Sequence, residues 1–109
     1  MKHKITLPQL KKYDITQKVI MALADAESRV ILFSIIRKGK TASDLSGSLK
    51  IPLSSVYKKL SDLENLTLVQ VEKTILSEKG RRFKIYRSRI NKAEISIKKP
   101  EPTLSLSAN

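Results

Sequence analysis

The chain has 109 residues, with 22 Lys plus Arg against 10 Asp plus Glu, one His, no Cys and no Trp, for a formal charge of +12. That length holds one domain, and Leu, Ile, Val and Phe make up about 30% of it, above the ~20% below which a charged chain stays disordered. Zero Cys excludes disulfides, thiol nucleophiles and thiolate metal centres, no apolar run nears the ~18 residues of a bilayer span, and no hydrophobic segment follows Lys2 and Lys4 as a secretion signal requires. The charge excess points to a polyanion, which means nucleic acid or an acidic membrane surface.

In chain order, residues 1–13 are Lys-rich, contain Pro8, and read as a flexible basic arm. From Ile15 the spacing turns helical, with Val19, Ile20 and Leu23 following. Asp25 offers an N-cap to a second helix, and Glu27 lies in its first turn, where the helix dipole favours an anion. That helix carries Val30 to Phe33, Ile35 and Ile36, should sit centrally, and is expected to end at Lys38 and Gly39, the latter free to take positive φ. Thr41 caps a third helix bearing Ala42, Leu45 and Leu49. Pro52 breaks it and opens a fourth over Leu53–Asn65, with Val56, Leu60 and Leu63 facing inward. Two helices joined by three or four residues make a helix-turn-helix.

Beyond Asn65 the period changes towards two. Val69, Val71 and Ile75 alternate with polar residues, as do Phe83 and Ile85, around the turn cluster Ser77-Glu78-Lys79-Gly80, which predicts a β-hairpin. Glu94 to Lys98 alternates weakly as a strand does, and Pro100, Pro102 and a Ser-rich end read as a tail. The reading is therefore mainly α with a small β-hairpin: an arm over 1–13, a helix-turn-helix domain with a two-stranded wing over 14–91, and an extension or tail over 92–109. There is no internal repeat.

The segment TASDLSGSLKIPLSSVYKKLSDLENLTLV (41–69) resembles the helix-turn-helix core of the ArsR-like winged-helix transcription regulators. ALADAESRVILFSIIRKG (22–39) looks like the helix that opens those domains, and GRRFKIYR (80–87) is similar to their wing. Three positions depart from the pattern: Ser46 replaces a small apolar residue, Lys50 a Gly before the turn, and Thr67 a Gly between recognition helix and wing. Without Cys the chain cannot perform the thiolate metal sensing of some relatives. The residues after Asn91 do not read as the helix through which many relatives dimerise.

The resemblance implies that the fourth helix enters the major groove of duplex DNA, its first residues meeting base edges. With Val56, Leu60 and Leu63 inward, Ser54, Ser55 and Lys58 face outward, flanked by Tyr57 and Lys59. The serines can contact several base edges or phosphate, and Lys58 can reach guanine O6 and N7. The same residues also suit a merely solvated face, and Tyr57 suits either the core edge or a phosphate. Between Lys79 and Lys92 lie seven cations (Lys79, Arg81, Arg82, Lys84, Arg87, Arg89, Lys92) and no acid. Arg81 and Arg82 beside Gly80, with Lys84, are expected at the backbone or minor groove, while part of the run protects an edge strand. Lys2, Lys4, Lys11, Lys12 and Lys18 suit either an arm along the DNA or a solubilising tail, to which His3 belongs.

No Gly-rich phosphate loop, nucleophile triad or metal-ligand cluster is present, so no enzyme, cofactor or metal is expected, and no effector is identified. The expected function is a transcriptional regulator binding double-stranded DNA, not a membrane, as a homodimer in the cytoplasm, nucleoid-associated in a prokaryote. Two alternatives remain: a winged-helix protein-protein module, and a non-specific chromatin-like binder. RNA is disfavoured, because Tyr13, Phe33, Tyr57, Phe83 and Tyr86 do not read as a stacking platform.

Overall fold

A computed structural model describes residues 7–109, with side chains from Asp14 onward. Four helices, α1 (Leu7–Ala24), α2 (Ala26–Ser34), α3 (Ala42–Leu49) and α4 (Leu53–Asn65), precede two antiparallel hairpins. The first hairpin joins β1 (Val69–Leu76) to β2 (Arg82–Ser88), and the second joins β3 (Ile90–Ser96) to β4 (Thr103–Ala108). Apolar positions at helical spacing converge from α1 (Val19, Leu23), α2 (Ile31, Leu32), α3 (Ala42, Leu45) and α4 (Val56, Leu60, Leu63), and Ile35, Leu68, Val69, Tyr86 and Ile90 close the core. This is the winged-helix fold, with β1 and β2 as the wing.

Local chemistry accounts for the helix ends. The Asp25 carboxylate accepts from the Ser28 backbone N–H at 2.9 Å, as an N-cap should. Thr41 and Asp44 form a reciprocal capping box at the start of α3. The Arg29 guanidinium donates to the Leu23 and Ala24 carbonyls at 2.8 and 3.0 Å, capping the end of α1.

The two positions that depart from a family glycine both hold a left-handed backbone: Lys50 at φ 56° and Thr67 at φ 61°. At the end of α4 the Thr67 N–H reaches the Glu64 carbonyl and the Leu68 N–H the Leu63 carbonyl, both at 2.9 Å, and Leu63 packs with Leu68 in the core. Before the turn the Ser46 hydroxyl donates to the Ile51 carbonyl at 2.6 Å, so it supports the turn as well as replacing an apolar residue. A β-branched residue at positive φ is costly. Relieving about 1–3 kcal/mol of strain, less the entropy a glycine adds to the unfolded chain, Thr67→Gly should stabilise the protein by about 1 kcal/mol. Urea denaturation checks this; a destabilised variant would show that the Thr67 side chain contributes more than its strain costs.

Four expectations are corrected. Residues 7–13, assigned to the arm, lie in the first turns of α1, where Pro8 needs no hydrogen-bond partner; the rest of the arm, including Lys2, His3 and Lys4, lies outside the described residues. Helix α2 ends at Ser34, before Lys38 and Gly39. Gly39 serves close approach and not positive φ, since a Cβ there would lie 2.6 Å from Ile85 Cγ2 and 3.1 Å from the Tyr86 carbonyl oxygen; Gly80, in the wing turn, takes φ 79°. Lastly, of the two readings of residues 92–109, extension or tail, the tail does not hold: the weak alternation from Glu94 falls partly on β3, and a further strand follows it. Leu104 and Leu106 alternate with serines on β4, which pairs with β3 and lies against α1, while Pro100 and Pro102 fall in the connection, where no ladder bond is lost.

Candidate nucleic-acid interface

Helix α4 presents its faces as its apolar spacing requires. Val56, Leu60 and Leu63 are fully buried, and Ser54, Tyr57 and Lys58 are exposed with Ser55 half-buried beside them. The helix is polarised in charge along its axis: Ser54, Ser55 and Lys58 lie in the first half, whereas the acids Asp62 and Glu64 lie towards the end. A helix inserted by its N-terminal half therefore meets a duplex with its hydroxyls and its cation.

Lys59 does not join that face. Its Nζ donates to Asp25 Oδ2 at 2.7 Å and lies 3.7 Å from Glu27 Oε1, tying α4 to the start of α2. Asp25 Oδ2 also accepts from the Ser28 hydroxyl at 2.8 Å. The Lys59 hydrogen bond, then those of Ser28, hold the Asp25 carboxyl at about 2, and the same bond raises the Lys59 ammonium above its ordinary value. Lys59 thus fixes the position of α4 against α2.

A depressed carboxylate contributes stability above its ordinary value of 3.8, and that contribution is lost as pH falls towards 2. The raised lysine contributes below 10.5 and loses its contribution only as pH rises through its shifted value. Asp25→Asn keeps the cap but not the charge, so its stability deficit in urea should be full above pH 3.8 and shrink as pH falls towards 2. A deficit constant across that window would show that charge pairing contributes nothing.

The wing is a twisted ribbon with a bulge between Val71 and Lys73. Its turn is closed by the Ser77 N–H on the Arg81 carbonyl at 2.7 Å and the Arg81 N–H on Ser77 Oγ at 3.0 Å. On β2, Tyr86 and Ser88 enter the core, so Arg82 and Lys84, on the same face by alternation, extend over the helix-turn-helix and are exposed. Arg81 is exposed at the turn. Two of the seven cations are otherwise engaged: Arg87 donates to the Ile36 carbonyl at 2.8 Å and pairs with Glu72 at 3.2 Å, and Lys92 pairs with Glu94 at 3.3 Å. Among the described residues Lys58, Lys79, Arg81, Arg82 and Lys84 make no ion pair.

Periodicity alone did not show how tightly the wing root is held. Lys40 and Tyr86 exchange backbone hydrogen bonds at 3.0 and 2.8 Å, joining the segment before α3 to β2. Between them and Tyr57 lies a cleft of about 220 Å³ bordered by Ser43, Tyr57, Arg82, Phe83, Lys84 and Tyr86. No group of three or more His, Cys, Asp or Glu among the described residues is placed to hold a metal ion, and no described helix is long and apolar enough to cross a membrane.

Element order, buried helix-turn-helix and basic wing define a winged helix-turn-helix protein. No protein-family model matches the chain, and no curated protein sequence matches it. Among solved structures, the crystal structure of NolR from Sinorhizobium fredii is similar, with a TM-score of 0.61 and 18% sequence identity over 80% of this chain and 81% of NolR. At that identity the likeness establishes the fold.

Proposed function

We propose that this protein is a DNA-binding transcriptional regulator that places α4 in the major groove and rests the wing on the backbone or in the minor groove. The observation that carries this reading is that Lys58 on α4 and Arg81, Arg82 and Lys84 on the wing, on adjoining elements, make no ion pair among the described residues. In this role Ser54, Ser55 and Lys58 meet base edges, Tyr57, Arg81, Arg82 and Lys84 meet the backbone or minor groove, and Lys59 holds the helix in place. The ArsR-like resemblance of residues 22–39, 41–69 and 80–87 supports it.

A homodimer completes the reading, because two-fold related recognition helices match half-sites one helical turn apart. Copies carrying +12 repel, so their contact has to be sparing of charge. The strand β4 carries no charged residue, and Leu106 on it and Met21 on the neighbouring α1 are exposed. Selection of sites from random duplexes, with the mass measured in solution, tests both parts. A palindromic consensus and a dimeric mass are expected. Equal affinity for every duplex would replace sequence-specific regulation by chromatin-like binding, and a stoichiometric protein partner without duplex binding would replace it by an interaction module.

A further inference from the structure

Each sheet has two strands, so among the described residues every strand has one unpaired side, apart from the Lys40 bridge on β2. An open edge is a template for pairing with another chain, and folded proteins guard it with charge, proline or a bulge. Three of the four strands follow that rule. β1 carries Glu72 and Lys73 and a bulge, β2 carries Arg82, Lys84 and Arg87, and β3 carries Lys92 and Glu94 and a second bulge. β4 has no charge, no proline and no bulge. Among the described residues its backbone pairs with β3 alone.

The apolar face of this hairpin is also only partly covered. Ala93 stands opposite Leu106 and Ile95 opposite Leu104, so alternation puts all four on one face, with Lys92, Glu94, Ser105 and Ser107 on the other. Ala93 and Leu104 pack against the core, whereas Ile95 and Leu106 stay 42% and 40% exposed. A two-stranded hairpin is marginal by itself, and a sheet of three or more strands with an apolar face is not.

We propose that β4 pairs with β4 of a second copy, antiparallel across a two-fold axis, to make one four-stranded sheet in the order β3-β4-β4-β3. The inference rests on the homodimer reading above and names the contact that forms it. Two chains of +12 meet best where neither carries a cation, and β4 is the uncharged strand. An antiparallel pair of identical strands is two-fold symmetric, so it closes at two copies. Alternation then selects the register, because a slip of one residue would set the apolar face of one hairpin beside the polar face of the other. With Ser105 opposite the partner's Ser105 the faces match, and Leu104 and Leu106 each meet a leucine. A slip of two residues either way would set one of them against Pro102 or Ala108 instead.

The full chain has no Cys, so a single introduced thiol reports the contact. Opposed residues of an antiparallel pair have Cα atoms about 4.5–5.5 Å apart, within the roughly 4.4–6.8 Å that a disulfide spans. Ser105→Cys, at an exposed position, should therefore give a covalent dimer with oxidised glutathione as the oxidant, whereas Thr74→Cys, exposed on the wing, should not. Sedimentation of the parent chain should show a dimer. Leu106→Ser should weaken that dimer at least about tenfold, because two apolar side chains per dimer no longer leave water. A dimer that fails to cross-link through Ser105→Cys, or whose affinity Leu106→Ser leaves unchanged, overturns the proposal alone, since the copies then meet elsewhere. A monomer at every accessible concentration overturns it together with the homodimer reading, and a mass that grows beyond two copies overturns the two-fold closure. Duplex binding is measured in parallel, so that the DNA reading stands or falls separately.

Discussion

Between about 50 and 200 mM salt, the affinity for a selected duplex should fall about 150-fold. The figure follows from about four phosphates neutralised, one each for Lys79, Arg81, Arg82 and Lys84, at a slope of about −0.9 per phosphate on logarithmic axes. Removing Arg81 and Arg82 together as alanines should lower that slope by about 2 and weaken every duplex alike, because phosphate contacts carry no sequence information. Lys58→Ala should behave differently: about 1–3 kcal/mol of discrimination disappears at one base position, with little change in the affinity for unrelated duplexes. The expected contrast is therefore between a uniform loss and a loss of preference. If Lys58→Ala left the selected preference intact, α4 would not be reading bases through that side chain. If the arginine pair left the salt slope unchanged, the wing would not lie on the backbone.

Leu60→Ala should remove about 2–5 kcal/mol of folding stability, as truncation of a fully buried leucine does where the surroundings cannot collapse into the space. Leu60 has no exposed surface and lies at the centre of α4, between Val56 and Leu63. A domain of this size has about 5–15 kcal/mol in total, so the variant should unfold at markedly lower urea, with the slope of its unfolding curve preserved. Lys58→Ala, two residues away on the exposed face, should stay within about 0.5 kcal/mol of the parent, as substitutions off the core do. A loss below about 1 kcal/mol for Leu60→Ala would mean that α4 is not anchored as described, and the pairing of Lys59 with Asp25 would then have to hold that helix.

Periodicity found the four helices because each buries one face, and burial leaves its spacing in the chain; the wing was legible by its alternation, although only Val69, Tyr86 and Ser88 of its two strands are buried. The caps at Asp25 and Thr41 were legible for a local reason: each side chain acts on an amide three residues away. The departures at Lys50 and Thr67 were legible as positions where glycine is usual, and both hold the left-handed backbone that glycine serves. The second hairpin was half legible, in the weak alternation from Glu94, but its last strand was missed although Leu104 and Leu106 alternate with serines, since two prolines and a Ser-rich composition masked a short period of two.

What the amino-acid sequence determined by itself is the set of local decisions: where helices start, which residues point inward, where the chain turns, and how much positive charge it carries. Those depend on neighbours a few residues apart. Only the tertiary structure decided which charges stay available. Lys59 and Lys58 are adjacent in the chain and chemically alike, yet one is paired with Asp25, 34 positions away, and the other remains on the exposed face. Arg87 and Arg82 share a strand, yet the bulge and the end of α2 engage the first and leave the second exposed. The meeting of Tyr57 with Tyr86 is of the same kind, because side chains so distant in sequence become neighbours only when the wing folds back over the helices.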